Sequence, residues 1–192
     1  NRTGQELRFA APLFVDSTGD GWIGFWAGAL YRTGREARVE FNESLAPTNA
    51  DAMTMGTTLS WNSRNAGAPA TFPAVPWATN VSKGYSATSG GWNWEYGLNL
   101  DTIQDAEAIR DHLFQAIYGS FANAKKSAAN TNLALKWVPY VAGKRESRRL
   151  LGDLILTQQD IETTKLYPDG CVTATWYFDL HFPHPDNSKK FP

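Results

Sequence analysis

The chain has a single cysteine, Cys171, among its 192 residues. It can form no intramolecular disulfide and no cysteine-based metal site. Cys171 lies in the strand-like run Cys171-Val172-Thr173-Ala174-Thr175-Trp176 with no histidine beside it, the setting of a buried structural thiol rather than a nucleophile. Histidine is nearly as scarce, with 3 in the chain. His112 has no ligand partner four residues on, so no metal site is expected. The net charge is −1, which gives the bulk electrostatics no pull toward nucleic acid or an anionic membrane. No apolar run reaches the roughly 18 residues of a membrane-spanning helix. There is no internal repeat and no low-complexity block, and a lone cysteine is compatible with any compartment.

What the chain does have is aromatic side chains: 8 Trp, 7 Tyr and 10 Phe. Such residues fill cores, and they also line pockets for flat or sugar-like ligands. Trp61, Trp77, Trp92 and Trp94 fall in one loop-rich stretch. One reading of them is therefore a non-enzymatic carbohydrate-binding module.

The segment Leu13-Phe14-Val15-Asp16-Ser17-Thr18-Gly19-Asp20-Gly21-Trp22-Ile23-Gly24 carries the strongest local signal. An apolar run, read as a strand over Glu6 to Thr18, stops at a glycine-rich turn, and a short helix-prone segment follows. Gly19-x-Gly21-x-x-Gly24 matches the dinucleotide-binding fingerprint, in which glycines admit a pyrophosphate to a helix N-terminus. Glu40 stands at the spacing of the ribose-binding acid. A dehydrogenase domain that binds NAD is thus a second reading. Against it, the helix is short for a crossover, Asp20 places a carboxylate inside the loop, and no second βαβ unit follows.

Elsewhere, strands are expected over 53–61, 92–96, 133–142, 150–156 and 171–181. The charged run from Tyr31 to Glu43 reads as a strand edge or a ligand-facing segment, and 62–91 as a long irregular excursion. One long helix is expected from Thr102 to Lys126, opened by the box Thr102-Ile103-Gln104-Asp105. Ile103, Ala106, Ile109, Leu113, Ala116, Ile117, Ser120 and Phe121 give it one apolar face. Thr157 is a candidate cap for a short helix after it. Helices and strands are segregated rather than alternating, so the expected class is α+β.

Two further motifs suggest chemistry. Arg145-Glu146-x-Arg148-Arg149 offers guanidinium groups that can clamp a carboxylate, with Glu146 to orient one of them. Asp179 and His181 share one face of a strand. The carboxylate can hold the imidazole as an acid or base while hydride leaves the substrate.

Taken in order, Phe14-Val15-Asp16-Ser17-Thr18-Gly19-Asp20-Gly21, Ala27-Gly28-Ala29, Gly34-Arg35-Glu36-Ala37, Ala142-Gly143-Lys144-Arg145-Glu146-Ser147-Arg148-Arg149 and Asp179-Leu180-His181 resemble motifs of FAD-dependent oxidoreductases. The likeness is to the glutathione-reductase-like kind with an interior Asp-Ala-Thr-Gly-Asp-Gly segment, and more closely to a bacterial group of such enzymes. The resemblance spans about Leu13 to His181. In that family the phosphate-binding glycine motif lies near the N-terminus of the full protein. The resemblance therefore implies an interior portion of a larger flavoprotein. Residues 1–34 would be one strand-turn-helix piece of the Rossmann-like FAD-binding domain. Residues 35–192 would be a substrate or cap domain with a mixed or antiparallel sheet and one long helix. It implies FAD as cofactor, lined by Thr18, Gly19, Asp20, Gly21 and Glu146, and His181, Arg145 and Arg148 as catalytic residues. It implies a small-molecule substrate and the remainder of the parent flavoprotein as partner, with no nucleic acid, membrane or metal.

Overall fold

A computed structural model describes residues 4–78, 85–90, 94–173, 175 and 178. It is an α+β structure of short antiparallel strands around one long helix, as the pattern of the sequence implies. In chain order the elements are α1 (Trp22–Trp26), β1 (Tyr31–Arg32), α2 (Arg38–Phe41), β2 (Thr57–Thr58), β3 (Trp61–Asn65), β4 (Ser89–Gly90) and β5 (Glu95–Tyr96), followed by α3 (Ala106–Ala124), β6 (Leu133–Trp137), β7 (Arg149–Leu150) and α4 (Gln158–Glu162). Three small sheets form: β4-β3-β6, β2-β5 and β1-β7, every pairing antiparallel.

The helix α3 forms where the apolar spacing places it, and it buries Ile109, Leu113, Ala116, Ile117, Ser120 and Phe121. These side chains meet Leu59, Trp61 and Trp94 in the main core. Phe121 is the hub: Trp61 meets its ring edge-on at 6.0 Å and Phe72 at 4.9 Å. Each such large side chain, fully buried, contributes about 1.5–3 kcal/mol. At the far end Lys125 gathers three loop carbonyls, those of Asn130, Thr131 and Leu133, at 2.7–2.8 Å. That ties the helix to the start of β6.

The helix does not open on the expected box. Asp101 accepts from the amides of Ile103 and Gln104 at 2.8 and 3.0 Å, and Asp105 accepts from the Asp101 amide at 3.0 Å. The Thr102 hydroxyl is left to reach across to the Glu146 carbonyl at 2.7 Å. A carboxylate one residue upstream out-competes the hydroxyl because charge-assisted bonds are the stronger. Thr157 caps α4 as expected, in a reciprocal box with Asp160.

Several expected strands do not form. Residues 6–15 make no backbone–backbone hydrogen bond among the described residues. Phe9, Leu13 and Val15 stand three-quarters exposed. An extended run becomes a strand only when a neighbour supplies the ladder. From Leu150 to Leu156 only the first residue pairs, in β7. Tyr31 to Glu43 splits into β1 and α2. Cys171 is exposed, not buried, and no strand runs through the described residues around it.

Because Phe121 is fully buried at the meeting point of helix and sheet, Phe121→Ala is expected to destabilise the protein by about 3–5 kcal/mol. Urea denaturation measures this as a lowered midpoint with unchanged slope.

Candidate functional site

The glycine-rich loop folds around a residue of its own. Asp16 accepts from the Thr18 amide at 3.0 Å, from the Thr18 hydroxyl at 2.7 Å and from the Gly24 amide at 2.9 Å. The Trp22 amide donates to the Thr18 hydroxyl at 2.9 Å. The first amides of α1 are thus satisfied from upstream, by Asp16 and Thr18, while the cap residue Gly21 itself contributes no side chain. These are the donors that a pyrophosphate would need in the dinucleotide fingerprint. Amides from Gly24 and Thr18 and the Thr18 hydroxyl hold the Asp16 carboxyl down at about 2.

The glycines answer to packing. A Cβ on Gly24 would fall 2.5 Å from Leu150 Cδ1, and one on Gly21 3.1 Å from the same side chain. Leu150 of β7 lies against the loop because β7 pairs with β1 just beyond α1.

Asp20 turns the other way and joins the loop to the charged segment. Lys144 Nζ donates to its Oδ2 at 2.7 Å, and the Ser147 hydroxyl donates to its Oδ1 at 2.6 Å. Arg148 Nη1 donates to its backbone carbonyl at 3.2 Å. Burial pushes the Asp20 carboxyl up, but the hydrogen bonds from Lys144 and Ser147 and the Lys144 charge outweigh it and leave it below the ordinary value. The Arg148 guanidinium lies 3.9 Å from the Phe25 ring centre, 4.3 Å from Trp22 and 5.7 Å from Tyr31. Arginine stacks on rings in this way because it is flat and weakly hydrated.

A cavity of about 350 Å³ opens beside this junction. It is lined by Phe25, Tyr31, Ser147 and Arg148 and by Asn99 to Gln104, ahead of α3. Thr54 also lines it, and the buried Thr54 hydroxyl has no hydrogen-bond partner. An orphaned buried hydroxyl is uncommon and costly.

The residues singled out from the sequence are only partly brought together. Thr18, Gly19, Asp20, Gly21 and Arg148 share the junction. Arg145 turns away and pairs with Glu95 at 3.6 Å. Glu146 faces neither Arg145 nor Arg148. It accepts from the Met55 amide at 2.8 Å, and its other oxygen lies 3.6 Å from Arg149. Arg149 forks onto Glu36 at 3.0 and 3.1 Å. His181 and Asp179 lie outside the described residues. Glu40 is tied to Arg32 and is not poised for a ribose. The proposed aromatic platform does not assemble: Trp61 and Trp94 are core residues, and the half-exposed Trp77 packs on Tyr118. Trp92 lies outside the described residues. Sequence reading missed Lys144 and Ser147 as partners of Asp20, and Thr54 altogether. A lysine and serine flanking an arginine pair were visible, but nothing local said that a loop more than 120 residues away would supply the carboxylate.

The fold is of the α+β class, and its glycine-rich loop commits the Trp22 and Gly24 amides at the start of α1 to Thr18 and Asp16. The chain belongs to the FAD dependent oxidoreductase family, whose model matches residues 1–191. It is an oxidoreductase of the flavin class, and FAD is its cofactor. No curated protein matches the chain, and no solved structure does.

The loop presents two different faces to a cofactor. The helix-end face does not suit a phosphate, since the Asp16 carboxylate already fills it. The outer face does suit a polar cofactor edge: the amides of Gly19, Asp20 and Gly21 have no acceptor among the described residues. A Cβ on Gly19 would meet nothing within 4 Å. Arg148 keeps free N–H groups, having one hydrogen bond and no ion pair among the described residues. These donors match the carbonyl-rich edge of a flavin.

The Asp16 carboxyl is expected to titrate near pH 2 in the folded protein rather than near 3.8. Its folded value lies below its unfolded one. The ionised group therefore stabilises the loop above about pH 4, and that contribution is lost as pH falls through about 2. Carbon NMR of the Asp16 carboxyl reads the midpoint directly. Asp16→Ala is expected to speed amide exchange at Thr18 and Gly24 while leaving α3 protected.

Proposed function

We propose that this chain supplies the substrate side of the active site in an enzyme that moves hydride between a small, sugar-like substrate and FAD. The observation that carries the reading is the junction at Asp20. The Asp20 carboxylate gathers Lys144 and Ser147 and its backbone carbonyl takes Arg148, so the two motifs that resemble flavoprotein segments form a single structure.

In this reading Thr18, Gly19, Asp20 and Gly21 line the cofactor through their outer backbone face. When bound, the isoalloxazine provides the acceptor for the hydride. The cavity beside Phe25 and Arg148 holds the substrate. Arg148 orients it by charge and by the flat face of its guanidinium. His181, two residues after Asp179 in the chain, takes the hydroxyl proton as the carbon-bound hydrogen departs with its electron pair, leaving a carbonyl. Arg145 and Glu146 act as positioning residues: Arg145 through Glu95, and Glu146 through the Met55 amide. Both brace the segment that carries Arg148.

The remainder of the parent flavoprotein is the proposed partner, and the exposed run from Leu7 to Val15 is its seat. Those residues are mostly apolar, exposed and without ladder partners among the described residues, which is the condition of a strand whose sheet lies elsewhere.

Gly19→Asn tests the cofactor assignment. Asparagine tolerates the left-handed conformation at Gly19, where φ is 81°, and its side chain enters the open space over the loop. The expected result is a Kd for FAD raised about tenfold, equivalent to about 1.4 kcal/mol of binding, with unchanged thermal stability of the flavin-free protein. An unaltered Kd in this variant would remove the loop from the cofactor site. A wild-type protein that purifies without flavin and takes up none would overturn the reading as a whole.

A further inference from the structure

We infer that the cavity beside Arg148 takes a small hydroxycarboxylate, with the carboxylate on Arg148 and hydroxyls on the polar groups of the remaining wall. The inference rests on the hydride-transfer reading for the ligand's role as substrate, though not for its binding. It begins with charge. Lys144, Arg145, Arg149, Arg32, Arg35 and Arg110 each have a carboxylate within 4 Å. Arg148 has none among the described residues. Besides its hydrogen bond to the Asp20 carbonyl and the more distant charge of Asp101, it is met by the faces of Phe25, Trp22 and Tyr31, which hold the guanidinium flat and leave N–H groups to spare. A fixed, flat cation at a cavity wall is suited to a carboxylate taken by two parallel hydrogen bonds.

The second observation is independent of charge. Thr54 is 6% exposed, lines the same cavity, and its hydroxyl has no partner. That hydroxyl is closed to water in this structure, so a ligand hydroxyl satisfies it after a turn of the Thr54 side chain about χ1. The wall of the cavity adds Asn99 and Gln104. It also carries Asp101, whose carboxylate lies near enough to Arg148 and Lys144 to feel both charges. An acid on that wall opposes a second carboxylate and welcomes a hydroxyl donor, so the charges select a molecule anionic at one end only. Asp20, the other acid at the junction, is neutralised by Lys144 and Ser147. A cavity of about 350 Å³ stands at the small end of ligand sites, which excludes long oligosaccharides.

Calorimetric titration of the protein as purified, with sodium gluconate and with its uncharged relative glucitol, tests the inference, and flavin content is read by absorbance on the same samples. Saturable binding of gluconate, at least tenfold tighter than glucitol, is expected. Arg148→Met should abolish that preference, because a charge-assisted pair is worth about a factor of ten or more. Thr54→Val should weaken gluconate by about fivefold, the worth of one hydrogen bond. It should not lower the melting temperature, since it removes an orphaned group, so lost affinity in this variant is not lost folding. Equal affinity for the two probes, unaltered gluconate binding in Thr54→Val, or no binding up to about 50 mM would each overturn the inference. Flavin bound without gluconate preference would sink this inference alone. Gluconate bound with no flavin would instead sink the hydride-transfer reading.

Discussion

The site depends on one carboxylate in an unusual place. Asp20 stands inside a glycine-rich turn and is grasped by Lys144 and Ser147 from a segment more than 120 residues away. Both acceptor oxygens are used, and the backbone carbonyl of the same residue holds Arg148. Loop and charged segment therefore cannot be placed independently. Once they meet, β1 and β7 pair, Leu150 fills the space left by Gly21 and Gly24, and Arg148 comes to rest on the aromatic faces of α1 and β1. An ion pair in contact with water adds little stability by itself. Its consequence here is geometric, because two hydrogen bonds and a stacked guanidinium fix the register between distant segments.

The rest of the charge in this region is arranged in closed pairs. Arg149 is forked onto Glu36, Arg32 reaches Glu36 and Glu40, and Arg35 is forked onto Asp51. Such pairs hold turns in place and leave little net field. Against that background the cation of Arg148 differs in kind, since its partners are π faces. The cavity beside it is where the chain's electrostatics remain unfinished.

Asp16 gives a separate lesson about the glycine fingerprint. The spacing Gly19-x-Gly21-x-x-Gly24 is real, and so are the amides it presents at the start of α1. Those amides are consumed by a carboxylate of the same loop. A carboxylate and a phosphate ask for the same donors, so an acid a few residues upstream can convert a nucleotide cradle into a self-capped turn. The face of the loop that stays open is the opposite one, around Gly19.

The sequence alone determined what depends on local order. The periodic apolar face of α3 specified that helix and its core contribution, because period and burial are both written within five turns of chain. Thr157 announced the start of α4 for the same reason, and the order of short motifs pointed to the FAD family before any geometry. What the tertiary structure decided were the partners. Asp101 rather than Thr102 opens the long helix; Trp61 and Trp94 are core and not platform; Arg148 faces the cavity while Arg145, three residues away, faces Glu95. The residues from 6 to 15 spell a strand and yet pair with nothing described. A strand's partner, an arginine's counter-ion and the exposed side of a loop are set by segments remote in sequence. Spacing along the chain carries no information about which distant group will arrive.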